Sequence, residues 1–105
     1  MIGCVIAMDK EAEVLLSQME IESVSSLYGK PVYTGKAFGK EIVLVVSGEG
    51  KVNAAAGACA VISKGADIIL NFGVAGGLAP QRCEVSEIYL IDKVVQYDFD
   101  LVQIS

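Results

Sequence analysis

The stretch Ala66 to Pro80, ADIILNFGVAGGLAP, narrows the possible folds more than any other part of the chain. Ile68, Ile69, Leu70, Phe72 and Val74 form a short apolar run without alternation that passes straight into Gly73, Gly76 and Gly77. Such a run suits a strand buried on both faces, in a sheet covered by helices. The glycines at its end let backbone approach a ligand with no side chain in the way. In open α/β sheets ligands sit at the carboxyl ends of strands, where these glycines fall. The stretch predicts a buried central strand that delivers a small-molecule site.

Upstream, Ile2 to Ala7 is apolar and β-branched and predicts a buried first strand. The period then changes. Met8, Ala12, Leu15, Leu16 and Met19 recur at helical spacing, with Asp9 and Glu11 in the first turn where carboxylates favour the helix dipole. On a helical wheel Glu11 lies roughly 85° from the centre of the apolar face, at its border. It reads either as a solvated, dipole-compensating acid or as a carboxylate held near the end of the first strand.

Ile21 to Tyr28, Val32 to Phe38 and Glu41 to Val46 read as three consecutive strands, with Tyr28-Gly29-Lys30-Pro31 and Phe38-Gly39-Lys40-Glu41 as hairpin turns. Ile42 to Val46 is wholly apolar and should be central. Val52 to Lys64 predicts a helix with Val52, Ala55, Ala56, Cys59, Ala60 and Ile62 on adjoining faces. Gly57 within it costs about 1 kcal/mol against Ala unless its missing Cβ permits close packing. Gly65 is a stop signal. Val85 to Gln96 predicts a long final strand.

Gly48-Glu49-Gly50-Lys51-Val52-Asn53 follows a strand and opens a helix, the context of GxGxxG, but Asn53 stands at the third glycine position. It is not a P-loop, because Val52 follows Lys51. A glycine-bearing helix N-terminus can hold an anion or polar ligand group; a tight strand-to-helix turn explains it equally well. Two strands ending in glycine turns in one small sheet favour a shared cleft. Asp98 and Asp100 read as turn or interface residues rather than a metal site, and Lys51 and Arg82 as solvated or capping cations.

Composition limits the partners. At 105 residues the chain is one domain, residues 1–105. Its net charge of −5, with no basic cluster, argues against nucleic acid. No apolar run reaches membrane-spanning length, and no signal peptide is evident. Cys4, Cys59 and Cys83 lack CxxC spacing and read as reduced, buried thiols of a cytoplasmic protein. The absence of histidine removes His-dependent nucleophilic catalysis and the usual zinc sites. A 53% hydrophobic composition and a mean hydropathy of +0.55 are high for so short a chain, and imply surface covered by a partner or by further chain.

Taken together, these segments resemble the N-terminal half of the 5′-methylthioadenosine/S-adenosylhomocysteine nucleosidases, within the wider nucleoside phosphorylase superfamily. Ile6-Ala7-Met8-Asp9-Lys10-Glu11 is similar to the family's GAMEEE, and Ser47 to Ala55 to its SGIGKVNAA. Asn71 to Leu78 is similar to NTGSAGGL, and Gln96 to Asp100 to a QHDMD-like segment.

The resemblance implies an α/β fold: a three-layer mixed sheet flanked by helices, with about six strands and two helices of the first half present. It implies hydrolysis of an N-glycosidic bond with release of adenine, and no metal or organic cofactor. Glu11 would orient and activate the attacking water. Ala7 and Met8 would line the ribose side, Ala75 and Gly76 would lie beside base and sugar, and Glu49 and Val74 would complete the binding set. It also implies a homodimer or a complementary C-terminal half.

Val74 stands where the family has Ser, Glu49 where it has an apolar residue, and Tyr97 where it has His. The segments supplying the adenine-protonating Asp and a ribose-binding Met-Glu pair lie beyond Ser105. Leaving-group protonation is worth about 10²–10⁴-fold, so this chain alone is expected to be nearly inactive. The alternatives are a non-catalytic nucleoside-binding or interaction module, and a phosphorylase of the purine nucleoside type, the latter disfavoured by the lack of a GDPxR-like phosphate motif.

Overall fold

The computed structural model describes residues 1–74 and 88–94. The chain divides into two compact units, Met1–Ala75 and Gly76–Ser105. The first unit carries all the regular structure among the described residues: β1 (Ile2–Ile6), α1 (Asp9–Gln18), β2 (Glu20–Leu27), β3 (Lys30–Ala37), β4 (Lys40–Val46), α2 (Lys51–Ser63) and β5 (Ile68–Phe72). Its sheet has the order β2-β3-β4-β1-β5. β1 runs parallel to both β4 and β5, while β2, β3 and β4 form an antiparallel meander.

Alternation along β4 explains why its apolar run is unbroken. Ile42, Leu44 and Val46 join Cys4, Ile6, Ala12 and Met19 in one core beneath α1, with Leu15 and Leu16 packed against it. Val43 and Val45 turn the other way and join Val5, Val32, Ala60 and Val61 beneath α2. A strand covered by a helix layer on each side needs apolar residues on both faces. The result is the expected three-layer α/β arrangement.

Both hairpins close with two-residue turns. Tyr28 and Phe38 each adopt φ 54°, and Gly29 and Gly39 each adopt φ 73°. Positive φ at both central positions matches the twist of the flanking strands, and glycine in the second position adopts it without strain.

Two glycines serve close approach. A Cβ on Gly57 would lie 2.8 Å from the Ser47 Cβ and 3.1 Å from Val5 Cγ1, so α2 rests on β1 and β4 only because that carbon is missing. Gly35 faces the bulged start of β2, where a Cβ would collide with the Glu20 carbonyl oxygen.

Three expectations need correction. β5 is an edge strand among the described residues, and all five of its residues are exposed, Ile68, Leu70 and Phe72 by more than half. α1 and α2 pack on β1 and β4, so they leave β5 bare. An apolar strand records that something must cover it, not which element does. Second, residues 88–94 of the predicted final strand carry no strand. A strand exists only with a neighbour for its ladder. Third, α2 buries Gly57, Ala60 and Val61, while Val52, Cys59 and Ile62 are exposed. Its Ala-rich sequence has almost no amphipathic contrast, and the close approach at Gly57 selects the inward face.

The thiols divide accordingly. Cys4 is buried and Cys59 exposed, contrary to the expectation that both are buried; Cys83 lies outside the described residues. Burial pushes the Cys4 thiol above its ordinary value. A folded-state value raised in this way leaves full stability below the ordinary thiol range and removes it as pH rises, because the unfolded chain ionises first. Urea midpoints should therefore fall between about pH 7 and pH 9.5, and fall less in Cys4→Ala. An equal decline in the variant would exclude Cys4 as the cause.

Candidate functional site

The register makes three parallel strands end level. Ile6 pairs with Val46 on one side and with Phe72 on the other. The connections that leave them, Ala7-Met8, Ser47-Gly48-Glu49 and Gly73-Val74, therefore emerge side by side at the carboxyl edge of the sheet. Two backbone bonds carry the β1–β4 pairing slightly further, from Ser47 N–H to the Ile6 carbonyl (2.8 Å) and from Gly48 N–H to the Ala7 carbonyl (2.9 Å). This edge is where an open α/β sheet presents a ligand site.

α1 delivers Glu11 to the β5 end of the row. Helix geometry puts this residue one turn beyond Met8, whose carbonyl accepts the Glu11 and Ala12 N–H groups. The Val74 N–H donates to Glu11 Oε2 at 2.7 Å. A Cβ on Gly73 would lie 2.9 Å from the same oxygen, so the chain passes this close only because residue 73 is glycine. The second oxygen, Oε1, is buried and accepts no hydrogen bond from the described residues. A carboxylate with one oxygen anchored by backbone and the other without a hydrogen-bond partner keeps the capacity to accept a proton or a hydrogen bond from a small polar molecule.

The β4 end holds a hollow of about 450 Å³, lined by Ala7, Met8, Asp9, Lys30, Glu49 and Asn53 among others. Its wall is braced by one lysine. Lys30 Nζ donates to the Ser47 carbonyl at 2.7 Å and to Asn53 Oδ1 at 2.8 Å, and Asn53 Nδ2 donates to the Glu49 carbonyl at 2.7 Å. The turn from β4 into α2 is thus tied to the start of β3. Lys30 and Asn53 are half-buried, whereas Glu49 and Asp9 are exposed.

Of the residues singled out from sequence, Ala7, Met8 and Glu49 share this hollow. Glu11 and Val74 meet each other beside it but do not line it. Ala75 and Gly76 lie outside the described residues, as do Arg82, Tyr97, Asp98 and Asp100. Lys30, Asn53 and Asp9 were missed as site residues. The signal for Lys30 was present: it opens the strand that runs antiparallel to β4, so it must arrive where β4 ends.

The phosphorylase superfamily model matches residues 1–103. The chain belongs to the phosphorylase superfamily. Among solved members, the 5′-methylthioadenosine/S-adenosylhomocysteine nucleosidase of Neisseria meningitidis, in complex with methylthio-immucillin-A, is 39% identical with a TM-score of 0.70. The match covers 73% of this chain and 34% of that one. The S-adenosylhomocysteine nucleosidase of Streptococcus pyogenes is 36% identical with a TM-score of 0.69, over 75% of this chain and 34% of its own. The futalosine hydrolase of Helicobacter pylori is 30% identical with a TM-score of 0.65, over 71% and 33%. This superfamily member therefore spans about a third of the length of the solved relatives it matches, and its mixed sheet with two helices is a partial nucleoside phosphorylase-like fold.

Proposed function

We propose that this chain forms the water-activating part of a nucleosidase that cleaves the N-glycosidic bond of 5′-methylthioadenosine or S-adenosylhomocysteine and releases adenine. The observation that carries this reading is Glu11, with Oε2 held by the Val74 N–H and Oε1 buried without a partner beside three level strand ends. Water held at Oε1 attacks the anomeric carbon and gives up a proton to the carboxylate. The carbon–nitrogen bond breaks with its electron pair leaving on adenine. Ala7 and Met8 line the ribose side. The names of the solved relatives support the substrate class.

The proton that adenine needs comes, on this reading, from chain equivalent to the remainder of those relatives, so the 105 residues alone turn over slowly. The exposed apolar side chains of β5 support association with that complementary chain or with a second copy. The setting proposed for it is cytoplasmic.

Calorimetric titration with adenine, methylthioadenosine and S-adenosylhomocysteine, paired with an adenine-release assay, tests the reading. Nucleoside binding with release, however slow, is the expected result. Binding without release would favour a non-catalytic nucleoside-binding module, the reading that Val74 and Glu49 support. No binding of any of the three would overturn both.

A further inference from the structure

The opposite edge of the sheet, where β1, β4 and β5 start, carries features that the site at the carboxyl edge does not use. A mostly apolar recess of about 410 Å³ opens there, lined by Met1, Ile2, Gly39, Lys40, Glu41 and Ile68. The turn beside it displays Phe38, 77% exposed, on a left-handed backbone with φ 54°. A bulky residue at this turn position forgoes the asparagine or glycine that adopts it most easily. Lys40 and Glu41 are both exposed, and among the described residues neither is in an ion pair. The Met1 ammonium, by contrast, is matched by Asp67 at 3.0 Å. An exposed ring, an apolar recess and two unpaired charges of opposite sign therefore lie together on one edge.

We propose that this edge is a weak self-association surface, in which Phe38 of each copy enters the recess of the other. The occupant is a second copy because the surface is self-complementary about a two-fold axis. Strand order sets the Phe38 turn on one side of the start of β4 and the start of β1 on the other. An axis running along β4 through its first residues exchanges the two, so the ring of one copy faces Ile2 of the second. Successive residues of a strand point to opposite faces of the sheet, so Lys40 and Glu41 flank β4 on its two sides. The same rotation exchanges those sides and brings Lys40 of each copy beside Glu41 of the other. A chain of net charge −5 repels its own copies, and an edge whose charges balance in this way is where they can approach. The contact lies across the sheet from Glu11 and leaves that site open. Each ring buries about 150–250 Å², and two rings fall well short of the roughly 1,200 Å² of a stable complex, so the dimer is weak, with a dissociation constant of about 10–500 μM.

Sedimentation equilibrium of the full chain from about 10 μM to 1 mM tests the surface. The weight-average mass should climb from 11.0 kDa toward that of a dimer as concentration rises. Phe38→Asn should weaken association about tenfold or more and yet raise the urea midpoint, because asparagine suits a left-handed turn position. Those opposite effects separate loss of the contact from loss of the fold. Lys40→Glu should weaken association by about threefold to tenfold, and Lys40→Glu combined with Glu41→Lys should restore it. A chain that stays monomeric to about 1 mM would overturn the surface. So would association that Phe38→Asn leaves unchanged while Leu70→Asn abolishes it, since the interface would then lie on β5. A double charge swap that fails to restore association would overturn the two-fold arrangement.

Discussion

On the proposed nucleosidase reading, Glu11→Gln should lower adenine release by about 10²–10⁴-fold, the usual contribution of a positioned general base, and change nucleoside affinity by only a few-fold. The substitution is selective because of how Glu11 is held. The amide oxygen of glutamine can still accept the Val74 N–H that now reaches Oε2 at 2.7 Å, so the loop after β5 keeps its anchor. What disappears is the second carboxylate oxygen, replaced by an NH₂ group that donates and cannot take a proton from water. Release rates should be compared at saturating methylthioadenosine. Undiminished turnover in the variant would remove Glu11 from the chemistry and leave it as a strut between α1 and the β5 end.

Gly35→Ala should destabilise the fold by about 3 kcal/mol or more, at or beyond the upper end of ordinary overpacking. The added methyl would meet the Glu20 carbonyl oxygen, backbone that cannot rotate aside, where the β2–β3 register shifts between Ile21 and Ser23. Relief requires β2 to separate from β3 or the bulge to move. Gly39→Ala is the matched control: nothing lies within 4 Å of its added carbon, and only the positive φ of 73° opposes it. A left-handed backbone costs about 1–2 kcal/mol for an ordinary residue. Urea denaturation followed by circular dichroism separates the two. If Gly35→Ala proves no more damaging than Gly39→Ala, close approach at the bulge is not what holds residue 35 as glycine.

The same steric logic reaches the site through Gly57. Its contact with Ser47 sets the depth at which α2 meets the end of β4, and hence where Gly48 and Glu49 emerge. Sequence reading allowed for close packing at this glycine without being able to name the surface it met. The partner is ten residues away in the chain, across a turn whose course depends on Lys30 from another strand.

Local order in this protein is written in local sequence. Apolar runs, helical spacing and turn dipeptides determined the succession of strands and helices through residue 72, the two hairpins, and the position of Glu11 at the border of its helix, because each depends on neighbours within a few residues. Tertiary structure alone decided that β5 lies at the edge, that Val61 and not Ile62 faces the sheet from α2, and that Lys30 braces the turn bearing Glu49. It also decided that one oxygen of Glu11 is claimed by the Val74 N–H, 63 positions away. Those outcomes follow from strand order and register, which join residues distant in the chain and leave no periodic trace in either partner's sequence.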